Sequence, residues 1–367
     1  MKSWPAIDFG HTSYDAAFTR GDVYGVVPDA ERAKRRPLTV AVAGAGGVAQ
    51  AKWIPAIRHL QTKGEPVAVT AIADPRAEVA EKAAALAGSA AFADVAAMLD
   101  ARRPDILLVL ATDAAHVPIA TQAIELGIPC LIEKPLARNF TEATDLVRNA
   151  EQAGVLLASV ANKRFSPPYA MAKALIEAGA LKSTPSVFTG KFTLGYPYVD
   201  LLEGGTVHLL DLVQWFMGPV SKLHARGIRC DDGGLLSAVV SFAFASGAIG
   251  SLTTSAAAMS FKPWERVEII GRNAFLVVDD QIETTLYDDE TGPAKSWRPV
   301  VPNTLMFDEA FGGYAGLLEN VLDAVRGLAP LATPAKDGAA AVGLIEAIRR
   351  SLAEDRDVDI AAEGLAP

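Results

Sequence analysis

One stretch in the first third of the chain restricts its possible folds more than any other. An apolar run, Leu38–Ala43, passes directly into a turn of small residues at 44–49, and a helical pattern follows to about Gln61. A second apolar run, 66–73, ends at Asp74. This order of strand, glycine-rich turn, helix and strand is typical of a βαβ unit. It predicts an α/β fold with a parallel sheet.

The turn at 44–49 reads G-x-G-x-x-A, a pattern that binds dinucleotides when a strand precedes it and a helix follows it. Gly44 permits the tight turn, Gly46 lets the backbone approach a pyrophosphate, and Ala49 lets the helix pack closely on the strand. The amino terminus of the helix attracts the anion. We therefore predict that this turn, including Gly47 and Val48, binds a dinucleotide cofactor.

Asp74 closes the same motif at the end of the second strand, where a carboxylate accepts hydrogen bonds from the adenosine ribose. Its negative charge repels a 2′-phosphate, which predicts NAD as the cofactor. Arg76 is a second candidate cofactor contact. It would soften the preference for NAD by attracting that phosphate, so NADP stays possible, although an exposed arginine at a helix start is the simpler interpretation.

A third apolar run of strand type, Ile128–Ile132, ends abruptly in Glu133, Lys134 and Pro135. Pro135 cannot donate to a sheet ladder, so the strand should stop there. In an open α/β sheet, ligands bind beyond the carboxyl ends of the strands. Glu133 and Lys134 are therefore candidate cofactor-binding residues, although the pattern alone fits a surface salt bridge equally well.

The alternation of strands and helices continues to residue 160 and predicts a six-stranded, doubly wound Rossmann sheet. A strand at 106–111 is followed by a helix that Thr112 or Asp113 caps. Thr112 and His116 are candidate cofactor contacts, although a structural histidine in the first helical turn fits as well. A helix at 141–154 and a strand at 155–160 complete the unit.

After residue 161 the pattern changes to alternating runs separated by turns, which predicts an α+β domain with a large, mostly antiparallel sheet. A helix at 205–217 lies within it and carries Thr206, His208 and Asp211. Other helices are predicted at about 169–178, 313–326 and 337–354, the last two packing partly on the Rossmann domain. The predicted strands are 186–194, 222–229, 237–245, 248–256, 266–271 and 274–279.

These patterns divide the chain into an arm at 1–36, a Rossmann domain at 37–160 and a substrate-binding and oligomerisation domain at 161–367. The arm is rich in aromatic residues, so we expect it to lie along the body or a neighbouring subunit, with a mobile tail as the alternative. Arg35-Arg36 resembles a twin-arginine leader. The apolar run behind it enters the glycine turn directly, so we interpret it as the first strand.

Composition argues against two classes of partner. The chain has 367 residues, of which 50% are hydrophobic and 21% charged, with a net charge of −9. It shows no basic stripe that would bind nucleic acid and no run near the roughly 18 apolar residues of a membrane span. Cys130 and Cys230 are its only cysteines. Because Cys130 lies in a predicted buried strand, we expect a free thiol and a cytoplasmic protein.

Several of these features occur together in one known family. They are the fingerprint with Asp74, the Glu133-Lys134-Pro135 strand end, the sequence NKRFSP at 162–167, the helix with His208, and a late helix that starts at Gly-Tyr. In these features, over about residues 38–360, the chain resembles the glucose–fructose oxidoreductase, inositol dehydrogenase and MocA family. The resemblance implies a nicotinamide-dependent dehydrogenase or reductase of sugars, cyclitols or related polyols. It also implies a homodimer or homotetramer.

The resemblance implies catalytic roles for two residues. Hydride transfer from a carbinol requires the hydroxyl proton to leave as well. His208 is the expected general acid/base, since imidazole exchanges protons near neutrality, and Lys134 is expected to orient the reacting oxygen and stabilise the alkoxide. Without the resemblance, His208 would more simply be a core histidine.

The candidate substrate-binding residues include both catalytic candidates, Lys134 and His208. Lys163 and Arg164 could recognise a carboxylate or phosphate, or they could be interdomain or solvent-facing charges. Thr206 is a further candidate. Asp211 shares a helix face with His208, but a structural carboxylate fits equally well. No cysteine and histidine cluster has metal-ligand spacing, so we predict no metal.

One departure from the family pattern bears on function. Typical family members carry an aspartate four residues before the helix histidine, where this chain has Gly204, and some branches of the family also lack it while keeping the histidine. The alternatives are that Glu203 or Asp200 replaces that acid, or that no acid is needed. The departure also favours the alternative function, a non-catalytic NAD-binding sensor or partner subunit, whereas Asp74, Lys134 and His208 favour an enzyme.

Overall fold

The computed structural model describes residues 34–195, 200–258, 263–299 and 311–367. The predicted arm at 1–36 lies outside the described residues up to position 33. The described residues form two compact units. The first contains residues 34–165 and 311–339, and the second contains 166–299 and 340–367.

The first unit is built on a parallel sheet. Its strands are β1 Leu38–Ala43, β2 Val67–Ala73, β3 Ala90–Phe92, β4 Ile106–Val109, β5 Cys130–Ile132 and β6 Leu157–Ser159. They lie in the order β3-β2-β1-β4-β5-β6, the arrangement of a doubly wound nucleotide-binding fold. Every residue of β4, β5 and β6 is buried, as expected of strands covered on both faces.

Helices of ordinary length follow these strands. A π-helical turn at Ala49–Trp53 leads into the first. The described α-helices are α1 Ile54–Thr62, α2 Ala77–Ala87, α3 Val95–Ala101, α4 Asp113–Glu125, α5 Phe140–Ala153, α6 Pro167–Glu177, α7 Val207–Met217, α8 Tyr314–Val325 and α9 Ala335–Glu354.

A late segment of the chain completes the core of the first unit. Helix α8 packs against α1, and its Leu317, Leu318 and Val321 are fully buried with the apolar side chains of β1 and β4. Trp53 is also fully buried, and its ring meets that of Tyr314 edge-on at 5.2 Å. This Rossmann unit therefore contains residues that follow strands β7 to β14 of the second sheet in the chain.

Buried charges fasten α8 to the sheet at the edge where the strands begin. Arg326 lies 2.6 Å from Glu65, just before β2, and 3.3 Å from Asp323. Arg35, just before β1, lies 2.8 Å from Glu65 and 3.1 Å from Asp323. All four side chains are almost wholly shielded from solvent. Ion pairs in such surroundings must be kept complete, because removing one partner leaves a charge buried.

The second unit is built on a larger sheet. Its strands are β7 Val187–Thr193, β8 Val220–Arg229, β9 Leu235–Phe244, β10 Ile249–Ser255, β11 Trp264–Ile270, β12 Phe275–Asp279, β13 Glu283–Tyr287, β14 Lys295–Trp297 and β15 Val358–Asp359. Their order is β14-β13-β12-β11-β7-β10-β9-β8-β15. Of these neighbours, β7 and β10 are parallel and the others antiparallel.

Helices cover one face of this sheet. Helix α6 packs on β12 and β13, and α7 packs on β7. Tyr169 of α6 is fully buried and donates a hydrogen bond of 3.0 Å to Glu265 of β11. From α9, the Ser351 hydroxyl accepts a hydrogen bond of 2.8 Å from the Ala225 amide of β8. Strand β9 alternates accordingly, with Val240 and Phe242 buried and Val239 and Ser241 exposed.

The predicted fold class is confirmed: a parallel Rossmann sheet and a mostly antiparallel second sheet. The strands predicted at 38–43 and 186–194 agree closely with β1 and β7. The predicted strand at 128–132 is reduced to β5, which begins at Cys130, because Pro129 has no amide to donate to the ladder. The helix predicted at 205–217 was wrong at its start, since Leu201–Thr206 forms a π-helical turn and α7 begins at Val207.

No helix in the described ranges is both long and apolar enough to cross a membrane.

The buried charges make a testable contribution to stability. Arg326→Met should lower the free energy of unfolding by about 3–5 kcal/mol, because Glu65 and Asp323 lose a buried cationic partner. Arg298→Met is the matched control, because Arg298 pairs with Glu283 but its side chain is 67% exposed. That control should cost at most about 1 kcal/mol. Equal effects in urea denaturation would contradict a special role for the buried cluster.

Candidate functional site

The glycine-rich turn after β1 is held against the end of β4. Gly44 has a φ of +95°, which favours glycine. A Cβ on Gly44 would lie 2.5 Å from the Ala111 nitrogen and 2.6 Å from the Leu110 carbonyl carbon. Main chain occupies that space, so no other residue fits without moving β4. Glycine is therefore required at position 44 for two reasons, the predicted tight turn and the close approach of the ends of β1 and β4.

The following residues leave an open approach to the helix amino terminus. A Cβ on Gly46 or Gly47 would meet nothing within 4 Å. Val48 is 43% exposed, whereas Ala49 is fully buried where the helix packs on the sheet. The open side of the turn and the adjacent amino terminus can accept a pyrophosphate by their N–H groups and dipole. The binding of cofactor by these residues remains a prediction.

Asp74 links the second strand to the same turn. Its carboxylate accepts hydrogen bonds of 3.0 Å from the Ala45 amide and 3.0 Å from the Arg76 amide. Burial raises the pKa of the Asp74 carboxyl, but the hydrogen bonds from Arg76 and Ala45 outweigh it, so the pKa lies below its ordinary value. The carboxylate is thus ionised at neutral pH and can accept hydrogen bonds from ribose hydroxyls.

Arg76 lies across this carboxylate in a bidentate pair. Its Nε and one terminal nitrogen donate to the two oxygens of Asp74 at 3.0 and 3.1 Å. The Arg76 side chain is 63% exposed. A ribose that binds Asp74 must share the carboxylate with this guanidinium, or displace it. The expected balance between NAD and NADP therefore depends on both members of the pair.

The end of β5 is fixed by a tryptophan that the sequence patterns did not indicate. The Trp53 indole donates to one oxygen of Glu133 at 3.0 Å, and the Lys134 amide donates to the other at 2.9 Å. Glu133 is buried, whereas Lys134 is half-buried. Glu133 thus supports the main chain at Lys134. Trp53 and Glu133 are 80 residues apart, and no local sequence signal pairs them.

His116 occupies an interior position beside this strand end. It is fully buried, and its two ring nitrogens lie 2.9 Å from the Pro135 carbonyl oxygen and 3.1 Å from that of Ala111. The structural alternative stated for His116 fits this placement better than a cofactor contact. Thr112 occupies the N-cap position of α4 but makes no side-chain cap hydrogen bond. Its exposed side chain lies just beyond β4, where a cofactor contact is still expected.

The 3₁₀ turn Asn162–Phe165 is wholly buried. Arg164 lies 2.8 Å from Asp337 and donates to the Ala332 carbonyl oxygen at 2.9 Å. These contacts join β6 to the segment that opens α9, and they favour a structural role for Arg164 over substrate recognition. Lys163 is also buried, at 8% exposure.

In the second unit, α7 carries the other candidates in and before its first turn. Thr206 is fully buried, and its hydroxyl donates to the Leu201 carbonyl oxygen at 2.7 Å and lies 2.6 Å from the Thr254 hydroxyl. Its polar atom is therefore used within the fold, which argues against a substrate contact. His208 is half-buried and Asp211 buried.

Asp200 and Glu203, the candidate replacements for the family aspartate at Gly204, already have local partners. Asp200 accepts hydrogen bonds of 2.9 Å from both the Leu202 and Glu203 amides. Glu203 lies 2.7 Å from Arg349 of α9. Asp200 thus caps the π-helical turn, and Glu203 pairs with a guanidinium. These contacts give no support to either residue as a substitute acid.

The expectation that the protein binds no metal stays a prediction. Within the ranges that the structure describes, no three His, Cys, Asp or Glu side chains are arranged to hold a metal ion.

Two family models match the chain. The model described as "Oxidoreductase family, NAD-binding Rossmann fold" matches residues 38–161. The model described as "Oxidoreductase family, C-terminal alpha/beta domain" matches residues 201–360. The chain belongs to the Gfo/Idh/MocA oxidoreductase family. The sequence resemblance is thereby confirmed, and so is the prediction of NAD as a cofactor.

Curated relatives in this family include inositol dehydrogenases. Inositol 2-dehydrogenase 4 of Saccharopolyspora erythraea is 31% identical over 211 residues, which are 52% of this chain and 58% of that protein. Myo-inositol 2-dehydrogenase of Thermotoga maritima is 25% identical over 286 residues, 74% of this chain and 84% of that protein. This chain therefore spans little more than half the length of the first relative.

Solved structures share the fold. An oxidoreductase from Agrobacterium radiobacter in complex with NAD+, L-tartaric acid and magnesium has a TM-score of 0.78 at 21% identity, covering 89% of this chain and 100% of that one. Levoglucosan dehydrogenase in complex with NADH has a TM-score of 0.79 at 18% identity, covering 89% of this chain and 99% of that one. At these identities the likeness shows the fold alone.

The pair of Asp74 and Arg76 predicts a measurable cofactor preference. Asp74→Asn should weaken NAD binding roughly tenfold or more, because hydrogen bonds to a charged group contribute about 1.5–3 kcal/mol. Arg76→Ala should leave NAD binding nearly unchanged and weaken NADP binding. Titration of both cofactors by intrinsic fluorescence measures these changes. If the unaltered protein binds NADP more tightly than NAD, Arg76 dominates the site instead.

Proposed function

We propose that the protein is an NAD-dependent dehydrogenase or reductase that transfers hydride at a carbinol carbon of a sugar, cyclitol or related polyol. The observation that carries this proposal is the anchored Glu133-Lys134-Pro135 end of β5, at the same sheet edge as the fingerprint turn and Asp74. A lysine at that edge suits chemistry on a ligand bound there. The names of relatives, inositol and levoglucosan dehydrogenases, support the substrate class.

In this proposal two side chains manage the charge and proton of the reacting hydroxyl. NAD, when bound, accepts the hydride from the carbinol carbon. The Lys134 ammonium donates a hydrogen bond to the carbinol oxygen and stabilises the negative charge that develops there. His208 accepts the hydroxyl proton during oxidation and returns it during reduction.

The remaining site residues are assigned according to their surroundings. We retain Thr112, Val48, Gly46 and Gly47 as cofactor contacts because they are open or exposed, and Gly44 because it makes the turn that carries them. We retain Lys163 and Asp211 as candidate substrate contacts. Arg164 and Thr206 are proposed as structural, because their polar atoms bond within their own units.

A second function has one specific observation in its favour. Gly204 replaces the family aspartate, and the neighbouring acids Asp200 and Glu203 have local partners. A protein that binds NAD but turns nothing over, as a sensor or partner subunit, would have no need for that acid.

Turnover distinguishes the two functions. The purified protein should reduce NAD with at least one member of a panel of cyclitols, aldoses and anhydrosugars, followed by the absorbance of reduced nicotinamide. Lys134→Ala and His208→Ala should each lower turnover by roughly 10²-fold or more while NAD still binds. Bound NAD without turnover in either direction, on polyols or on keto-sugars, would favour the sensor. Unchanged turnover of His208→Ala would make its role structural.

We also propose that the protein forms a homodimer, or a tetramer of such dimers, through the face of the second sheet that no helix in the described ranges covers. Apolar side chains form a row across six adjacent strands at one end of this face. Each residue of this row is paired with the next across neighbouring strands, and the rings of Phe275 and Tyr287 stack with their centroids 4.4 Å apart. The row consists of Ala243, Ile249, Val187, Ile270, Phe275 and Tyr287. An exposed apolar row of this length is typical of an interface.

Charge on the same face favours a second copy as the partner. A row of charged side chains crosses four neighbouring strands, displaced from the apolar row by four residues along each strand. It consists of Lys191 on β7, Arg266 on β11, Asp279 on β12 and Glu283 on β13. A two-fold axis parallel to the strands, between β11 and β12, would set the two cations against the partner's two anions. The same axis would set apolar row against apolar row. The face is thus self-complementary, as an isologous dimer requires.

Light scattering tests this assembly. The unaltered protein should exceed the 38.6 kDa of one chain by a factor of two or four at micromolar concentration. Ile270→Glu, next to the proposed axis, should shift it toward monomer, because the dimer would bury an unpaired charge. Ile228→Glu is the matched control, since Ile228 is an exposed isoleucine on β8, outside the row. A monomeric unaltered protein, or equal effects of both changes, would refute the interface.

We further propose that the substrate-binding and oligomerisation domain predicted at 161–367 corresponds to the second unit, residues 166–299 and 340–367, and that the protein is located in the cytoplasm. Cys130 supports a reducing compartment, because it is a fully buried free thiol.

A further inference from the structure

The main chain on both sides of the Lys134 α-carbon is connected to a side chain from another part of the fold, on one side through the carboxylate of Glu133 and on the other side directly. On the amino side, the Lys134 amide donates to Glu133, whose other carboxylate oxygen accepts from Trp53. Trp53 is itself fully buried. On the carboxyl side, the carbonyl oxygen of Pro135 lies 2.9 Å from Nδ1 of His116.

The second nitrogen of His116 reaches a different strand end. Its Nε2 lies 3.1 Å from the carbonyl oxygen of Ala111, which follows β4. Carbonyl oxygens only accept, so a ring N–H donates to at least one of the two. Because the ring is fully buried, its orientation is fixed by these two carbonyls and by the packing around it. The imidazole therefore sets the separation between the end of β4 and the turn after β5.

Ala111 is also the residue against which Gly44 packs. The space where Gly44 would carry a Cβ is only 2.5 Å from the Ala111 nitrogen. The fingerprint turn is thus in contact with Ala111, Ala111 with His116, and His116 with Pro135. A displacement of the ring would alter the position of Lys134 relative to the turn that binds the cofactor.

We propose that His116 is a positioning residue for Lys134. By lying between the Pro135 and Ala111 carbonyls and donating to at least one of them, it fixes the lysine relative to the fingerprint turn, and it touches neither cofactor nor substrate. The effect on catalysis rests on the function proposed above. Misplacing a catalytic group by about 1 Å can cost roughly 10²-fold in rate, so a residue in this position has a measurable effect on turnover.

Three substitutions separate the two contacts of the ring. In His116→Asn the side-chain amide nitrogen lies near the place of Nδ1 and can still donate to Pro135. In His116→Gln it lies near the place of Nε2 and can donate to Ala111 only. His116→Leu retains neither contact. We expect kcat to fall roughly 10- to 10²-fold in the Leu and Gln variants, which release the Pro135 carbonyl beside Lys134, and by a smaller factor in the Asn variant, which releases only Ala111. The Kd for NAD should stay within about threefold in all three.

A second measurement does not require turnover. Acetic anhydride labels lysines at rates that depend on their surroundings, and peptide mass spectrometry gives the rate for Lys134 relative to the exposed Lys82 of α2. This ratio should change at least about twofold in the Leu and Gln variants and stay close to the unaltered value in the Asn variant. Because this labelling needs no substrate, it tests the positioning even if the protein proves not to be a dehydrogenase.

Ile124→Ala is the control for loss of stability, because Ile124 is a buried residue of the same helix, about two turns beyond His116. It should lower the melting temperature without changing kcat or the labelling ratio. The proposal is overturned if His116→Leu keeps both the kcat and the labelling ratio of the unaltered protein. It is also overturned if the Asn and Gln variants lose activity equally and in proportion to their melting temperatures, since His116 would then be structural only.

Discussion

The nucleotide-binding edge of the first unit depends on one close approach, that of Gly44 to the main chain of Leu110 and Ala111. No side chain fits there, so the turn after β1 and the end of β4 are held in fixed contact. The adjacent Ala45 amide bonds to Asp74, which adds the end of β2. Through Ala111, His116 and Pro135, the contact extends to the end of β5. Four strand ends thereby form one connected set.

Buried ion pairs stabilise the opposite edge of the same sheet, where the strands begin. The side chains of Arg326 and Glu65 are almost wholly shielded from solvent and lie 2.6 Å apart, and this pair connects helix α8 to the start of β2. At the carboxyl edge, the start of α9 packs closely as well, because a Cβ on Gly338 would overlap the hydroxyl of Ser159, the last residue of β6. Helix α8, which completes the Rossmann core, follows strands β7 to β14 of the second sheet in the chain. The stability of this core therefore depends on contacts between residues that are far apart in sequence.

This distance explains which features the sequence could predict. The β1 strand, the fingerprint and Asp74 lie within about forty residues and follow local rules of periodicity and turn chemistry, so their arrangement could be predicted. The pairing of Trp53 with Glu133 could not, because nothing local distinguishes Trp53 from any other apolar helix residue. The π-helical turn before α7 also escaped prediction, since the helical period extends through it. Strand β3, with three residues, is too short to show a period.

The contacts of the acids next to Gly204 bear on the loss of the family aspartate at that position. A carboxylate beside a catalytic histidine normally fixes the tautomer and orientation of the imidazole. Here Asp200 caps the π-helical turn and Glu203 pairs with Arg349, so either would have to give up a structural contact to take that role. In the function proposed above, Lys134 supplies positive charge at the reacting oxygen, so contacts that fix its main chain on both sides would affect turnover. Substrate choice is a separate matter, because one fold hosts many functions and selectivity comes from the site built on it.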